Sequence, residues 1–115
     1  MELDKSLISG SIPLLVLKLL ETGDLYGYEM IEALRRRSDD TFHLKAGTLY
    51  PLLHGLEEKG YVTAYEGEAA AGKPRRYYHL TEQGREALRE KEAAWDAYTR
   101  AVGLVLRGGA CCVGA

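Results

Sequence analysis

The strongest constraint on the fold is a stretch of strand-like sequence that cannot be stable by itself. Residues 61–66 and 75–80 are rich in Tyr, Val and Thr, as β-strands are, and residues 67–74 form a flexible connection between them. A hairpin of two strands is only marginally stable in water, so this one must pack on helices. The sequence therefore predicts a mainly α-helical domain that carries a two-stranded β-hairpin.

The helix before the hairpin has a clear two-sided pattern. It is predicted over residues 46–59, ends at Gly60, and places Leu49, Leu52, Leu53 and Leu56 on one face. Pro51 is awkward inside a helix, because it removes a backbone hydrogen bond. The opposite face carries side chains that can form hydrogen bonds, namely Lys45, Thr48, Tyr50 and His54.

Two further helices are predicted before this one. The first begins near Ile12, with Ser11 as its N-cap and Pro13 in its first turn, and runs to Leu20. Residues 1–10 are expected to form an arm or a frayed start of this helix. It is apolar around nearly its whole circumference, which predicts burial on several sides, most easily by dimerisation. The second helix is predicted from about Tyr26 to Arg37.

A long helix is predicted after the hairpin, from Glu82 to about Arg107, with Thr81 as its N-cap. Apolar side chains recur along it three and four positions apart, the spacing of a coiled-coil seam, although Lys91 interrupts the pattern. Such a seam would be exposed in a monomer, so the sequence predicts a homodimer about a two-fold axis. The predicted interface residues are Leu88, Trp95, Tyr98, Val102 and Val105.

The composition narrows the classes of function. The net charge of −2 argues against indiscriminate binding of nucleic acid, but a local surface can still be basic, and the hairpin tip carries Lys73, Arg75 and Arg76. No apolar run reaches the roughly 18 residues of a membrane span, and the first residues do not resemble a signal peptide, so we expect a cytoplasmic protein without membrane contact. The spacing of the histidines and cysteines indicates no metal site, and no catalytic constellation stands out, so neither enzymatic activity nor a cofactor is expected.

Four segments of the chain together resemble the PadR-type transcriptional regulators, and the short C-terminal helix resembles the smaller subfamily, which includes multidrug-binding members. The segments are residues 25–29 (LYGYE), 47–53 (GTLYPLL), 56–60 (LEEKG) and 72–84 (GKPRRYYHLTEQG). The resemblance implies a winged helix-turn-helix over residues 1–80 and a C-terminal dimerisation helix over residues 81–107. The Gly-rich end departs from the family pattern, and its composition predicts a disordered tail over residues 108–115. The resemblance also implies a recognition helix over residues 47–59 and a wing tip over residues 67–74. Trp95 resembles a tryptophan that stacks on flat aromatic drugs in one such regulator.

These observations lead to a functional hypothesis. We expect a dimeric regulator, a repressor, that binds a double-stranded DNA operator and is released by a small aromatic effector bound at the dimer interface, at Trp95. Lys73, Arg75 and Arg76 would contact phosphates or the minor groove. The major groove or its flanking phosphates would be faced by Lys45, Thr48, Tyr50 and His54. Two alternatives remain open at the residue level: Tyr50 packs partly into the core, and His54 is simply exposed. The alternative at the level of the whole chain is a winged-helix module that binds proteins and not DNA.

Overall fold

The computed structural model describes residues 5–68 and 72–108, and within them the predicted winged helix-turn-helix and the long C-terminal helix are confirmed. Residues 109–115, which hold most of the predicted disordered tail, lie outside the described residues. The elements in chain order are α1 (Lys5–Leu20), β1 (Leu25–Tyr26), α2 (Gly27–Arg37), α3 (Ala46–Glu58), β2 (Val62–Gly67), β3 (Arg75–Leu80) and α4 (Glu82–Leu106).

The small sheet has three antiparallel strands, in the order β1-β3-β2, and not the two that the sequence predicted. The additional strand pairs Leu25 with Tyr78 and Tyr26 with Tyr77. We expected Tyr26 to begin the second helix; instead it is extended and forms the N-cap of α2. Its backbone N–H donates to the Glu29 carboxylate over 3.1 Å. A strand of two residues is too short to show a period in the sequence, so pattern analysis could not find it.

The first helix begins at Lys5, well before the predicted start at Ile12. Ser11 is therefore not an N-cap; its hydroxyl donates to the Ile8 carbonyl within the helix. Pro13 lies inside α1, where it leaves one helical carbonyl without its usual backbone donor. Five side chains of α1 are nevertheless buried within the protomer: Ile12, Val16, Leu17, Leu19 and Leu20. One protomer thus accounts for much of the burial that we had attributed to dimerisation.

The core lies between α1, the inner faces of α2 and α3, the sheet, and the first turns of α4. Leu49, Leu53 and Leu56 of α3 are buried and Leu52 is partly buried against them, as the apolar pattern predicted. Each fully buried leucine stabilises the fold by about 1.5–3 kcal/mol relative to an exposed one. Thr81 begins α4 as predicted, because its hydroxyl oxygen accepts from the Gly84 N–H over 2.9 Å.

Leu88 of α4 corrects the prediction for the dimer seam. Its side chain is 1% exposed and belongs to the core of the protomer. It has almost no surface left for a partner, so any seam along α4 must begin after this residue. The sequence could not separate the two environments, because core positions and seam positions share the same helical spacing.

Candidate nucleic-acid interface and apolar groove

The exposed arc of α3 carries the polar side chains that the sequence singled out. Lys45, Thr48, Tyr50 and His54 are all exposed. At about 100° per residue, Thr48 and Tyr50 lie roughly 160° apart around the exposed side of the helix, at the two edges of the arc. His54 lies between them. A ligand that contacted all three side chains would therefore have to surround much of the exposed side of α3, so α3 would lie inside a groove of that ligand.

Tyr50 has two environments at once. Its ring is 46% exposed, yet its phenol end lies against the backbone of Gly27, the first residue of α2. A Cβ atom at Gly27 would overlap the phenol, so the contact depends on glycine. Tyr50 thus joins the two helices of the helix-turn-helix and still presents part of its ring to solvent.

His54 is paired only weakly. Its Nε2 atom lies 3.8 Å from a carboxylate oxygen of Glu58, and both side chains are about three-quarters exposed, at 75% and 72%. An ion pair this exposed contributes about 0–1 kcal/mol, and only when the histidine is protonated. His54 is therefore available to a ligand, but Glu58 places a negative charge on the same surface.

The three cations of the hairpin lie in different surroundings, because Lys73 precedes β3 and successive residues of a strand, such as Arg75 and Arg76, point to opposite faces. Lys73 is exposed near the tip. The Arg75 guanidinium carbon lies 4.4 Å from the centroid of the Tyr26 ring, a cation–π arrangement. Arg76 points to the other face of the sheet, where its guanidinium lies 3.5 Å from the Glu57 carboxylate of α3. The sequence grouped these residues as one patch, whereas the structure gives each a different surrounding.

The outer face of the sheet carries an array of rings that we did not predict. Tyr77 contacts Tyr26 edge to face at 5.5 Å and stacks on Tyr65 at 5.7 Å. The Tyr65 hydroxyl donates to Asp24 over 2.6 Å, and Nδ1 of His79 lies 2.8 Å from the other Asp24 oxygen. Burial by itself raises the pKa of Asp24. The two hydrogen bonds together lower it by more than burial raises it, so the pKa of Asp24 lies below its ordinary value. Residues 75, 77 and 79 alternate along β3 and therefore lie on one face of the sheet, so the sequence could have predicted that Arg75, Tyr77 and His79 share this face.

A groove of about 240 Å³ lies between α1 and α4 beside Trp95, whose side chain is 45% exposed. Its lining is mostly apolar, with charged groups that belong to α1 and α4: Ser11, Leu14, Leu15, Lys18, Phe42, Glu92, Trp95 and Asp96. Lys18 joins the two helices, because its ammonium lies 2.8 Å from Glu21 and 3.4 Å from Glu92. Phe42, which comes from the connection between α2 and α3, was not predicted to belong to any site.

The outer part of α4 exposes apolar side chains. Of the predicted seam, Trp95, Tyr98 and Val105 are exposed and Val102 is partly buried; Val105 reaches 79%. The Trp95 and Tyr98 ring centroids are 6.4 Å apart, so the two rings form one surface. Leu104 and Leu106, which we did not predict, are also exposed.

Within residues 5–68 and 72–108, no three potential metal ligands converge on one point. No helix in the same part of the chain has the length and apolar content to span a membrane.

Comparison with known proteins places this arrangement in a family. Residues 16–90 match the model of the transcriptional regulator PadR-like family. A PadR family transcriptional regulator from Eggerthella lenta has 34% identical sequence and superimposes with a TM-score of 0.79, covering 89% of this chain and 87% of its own. A transcriptional regulator from Clostridium thermocellum has 33% identity and a TM-score of 0.79, with 85% and 95% of the two chains covered. The Mycobacterium tuberculosis transcriptional regulator Rv3488 is 34% identical over 79 residues, or 69% of this chain and 70% of its own. Both the four-helix, three-stranded architecture and the sequence match thus lead to the same assignment: this chain is a member of the PadR-like family of transcriptional regulators.

Proposed function

We propose that the protein is a dimeric repressor that binds operator DNA through α3 and the hairpin, and that a flat aromatic ligand beside Trp95 releases it. The observation that carries this proposal is the placement of a polar, exposed helix directly beside a basic hairpin. The Arg76–Glu57 pair joins the hairpin to α3 at 3.5 Å, so the two surfaces form one unit. A helix in the major groove and a wing on the backbone require this kind of adjacency.

The residues divide into two roles. Lys73 and Arg75 would neutralise phosphates, which supplies most of the affinity and makes it depend on salt. Lys45 precedes the first turn of α3, so it would meet the DNA backbone where the helix N-terminus already favours an anion. Tyr50 and His54 would approach the base edges, which supply sequence preference.

The dimer would form along the outer part of α4. Trp95, Tyr98 and Val105 expose apolar surface there, and burial against a second copy removes that surface from water. A two-fold axis would then present two α3 helices to half-sites about one helical turn of DNA apart. This geometry explains why a change at the interface would alter DNA binding.

The ligand site would be the groove beside Trp95. The indole and Phe42 offer flat apolar surface to an aromatic ring. Lys18 pairs with Glu92, and the remaining carboxylate, that of Asp96, favours a ligand with a positive charge. Release of DNA requires that the ligand bind the two arrangements of the dimer with different affinities. Otherwise it would occupy the groove without an effect on transcription.

A titration with DNA from the region upstream of the protein's own gene tests the proposal. We expect a specific shift at physiological salt, and a plot of log affinity against log salt with a steep negative slope. The double variant Arg75→Ala, Arg76→Ala should weaken binding, and the slope should become shallower by about one for each phosphate that the protein no longer neutralises. Arg89→Ala, which removes a charge from an exposed position of α4, is the matched control. An unchanged slope in the double variant would remove Arg75 and Arg76 from the DNA interface.

One observation favours a second function, a winged-helix module that binds a protein. Glu57 and Glu58 place two carboxylates near the surface that DNA would use, and the chain has a net charge of −2. In that case the upstream fragment would bind no better than an unrelated sequence of equal length. A specific shift at physiological salt would reject this alternative.

A further inference from the structure

Phe42 lies on the connection between α2 and α3, yet it lines the groove beside Trp95. It is partly buried against the core. On one side it borders the 240 Å³ groove with Trp95 and Asp96. It also borders a second groove, of about 230 Å³, with Leu34 and Arg37 of α2. Phe42 thus lines both the ligand groove and a groove beside the first helix of the helix-turn-helix.

The backbone just before Phe42 has an unusual conformation. Asp39 and Asp40 have φ angles of 54° and 66°, in the left-handed region that residues other than glycine seldom occupy. A small set of polar contacts holds the segment: Arg35 pairs with Asp40 at 3.1 Å, and the Phe42 N–H donates to the Ser38 hydroxyl over 2.9 Å. Such conformations persist only where the surroundings enforce them, and they cluster at segments that switch.

The chain after Phe42 leads directly into α3. Only three residues separate it from Ala46, where α3 begins, so the two are at most about 14 Å apart even in extended chain. Leu44, between them, is buried in the same core as Leu49 and Leu53 of α3. A displacement of the Phe42 ring would thus be passed to α3 through a packed residue, because close-packed interiors transmit strain.

We infer that Phe42 couples occupancy of the Trp95 groove to the position of α3. An aromatic ring that enters the groove competes with Phe42 for the same apolar surface and moves it toward the second groove. The connection shifts with it, and α3 changes its orientation relative to DNA. Phe42 is therefore a positioning residue. The inference rests on the proposed function, since it assumes that both the ligand and DNA bind.

The test measures coupling, and not only binding. N-methylquinolinium, a flat aromatic cation, is titrated by calorimetry into the full-length protein, and affinity for the upstream DNA fragment is measured with and without it. A titration of the DNA alone corrects for direct binding. In the wild type we expect the ligand to weaken DNA affinity by about 5- to 150-fold, the usual range for allosteric coupling. In Phe42→Ala that ratio, measured with enough ligand to saturate the groove, should fall to within about twofold of unity, while the affinity for DNA without ligand persists. Phe42 lines the groove, so the affinity for the ligand itself is expected to change and is measured separately.

Ile31→Ala is the matched control, because Ile31 is also partly buried against the core but borders neither groove. It should lose stability and keep the coupling. If Phe42→Ala does not fold, as judged by circular dichroism, Phe42→Leu provides the same comparison. Equal coupling in the Phe42 and Ile31 variants would overturn the inference and leave the proposed function intact. A wild type that binds DNA without any response to the ligand would overturn both the inference and the ligand part of the proposed function.

Discussion

The phenol end of Tyr50 lies against the backbone of Gly27, in the space that a side chain at that position would fill. The two residues belong to the two helices of the helix-turn-helix, α3 and α2. Their contact fixes where the Tyr50 ring leaves the protein surface, and this ring lies at one edge of the exposed arc of α3.

Replacement of Gly27 by alanine should displace Tyr50 without unfolding the protein. Gly27 is the first residue of α2, where alanine and glycine differ less than in a helix interior, and Tyr50 is exposed enough to swing outward. We therefore expect a change in the unfolding free energy of less than about 1 kcal/mol. DNA affinity should nevertheless fall as far as it does in Tyr50→Ala. Fluorescence anisotropy with labelled upstream DNA, alongside urea unfolding, separates the two effects. A stable Gly27→Ala variant with wild-type DNA affinity would exclude Tyr50 from the interface.

Gly84 should respond in the opposite way to the same substitution. A Cβ atom there would overlap the backbone carbonyl of Tyr61, which cannot swing aside as a side chain can. The same carbonyl accepts hydrogen bonds from the N–H and the hydroxyl of Thr81. We expect Gly84→Ala to destabilise the fold by about 1–3 kcal/mol, the usual cost of overpacking. Thermal unfolding measures the loss, and Gly55→Ala, where a Cβ atom meets open space, is the control.

A charge at the outer end of α4 should dissociate the proposed dimer. Val105 is 79% exposed in the protomer, so Val105→Asp should leave the unfolding free energy of the protomer nearly unchanged. If a partner covers Val105, the buried carboxylate costs several kcal/mol, and the dissociation constant should rise at least about 100-fold. Sedimentation velocity across a concentration series gives this constant. Ala93→Asp introduces the same charge on α4, roughly 120° around the helix from Val105, and should leave the constant unchanged.

Removal of the Glu57 carboxylate should strengthen DNA binding. Glu57 holds Arg76 at 3.5 Å, so Glu57→Gln frees this guanidinium for phosphate and also removes a negative charge from the surface. We expect affinity to rise by a few-fold, with a steeper salt dependence. A double-mutant cycle with Arg76→Ala identifies the cause. If Glu57→Gln has the same effect in both backgrounds, the release of Arg76 plays no part.

Acid should weaken the outer face of the sheet through Asp24. Its pKa in the folded protein lies below the ordinary value of 3.8, so its contribution to stability is complete above that pH and is lost as the pH falls through the lower folded value. Asp24→Asn should therefore lower stability at pH 6, by about 0.5–1.5 kcal/mol for each hydrogen bond weakened. It should also flatten the decline between pH 5 and pH 2. Urea unfolding at several pH values measures both effects, and Asp39→Asn at an exposed position is the control.

The sequence was most informative where one face of an element is buried. The leucine stripe of α3 and the Thr81 cap of α4 follow from local chemistry, since helical spacing and a hydroxyl that accepts from an N–H need no tertiary contact. The basic hairpin was equally clear. The sequence did not predict that Arg75 lies beside Tyr26 and Arg76 beside Glu57, because these contacts depend on how β1 and α3 pack against β3.

Three features of the structure were not predicted correctly, each for a separate physical reason. The start of α1 was placed too late because Ser11 and Pro13 are typical of a helix N-terminus, and the residues before them continue the helix nonetheless. Leu88 was assigned to the seam because the pattern does not record which neighbour covers a residue. Phe42 was overlooked because it lies in a connection, where no period marks the side that faces a groove.

The hydroxyl of Thr81 has a consequence beyond the stability of α4. It donates to the carbonyls of Gly60 and Tyr61, which follow α3, and accepts from Gly84 in the first turn of α4. The residues that follow α3 and the first turn of α4 are therefore held together at Thr81. The 25 residues of α4 extend about 37 Å from this point. A rotation of only about 5° at that point moves the far end of α4 through roughly 3 Å. In the proposed dimer, small adjustments where two α4 helices meet would thus become angular changes at the two α3 helices, with no need for any element to unfold.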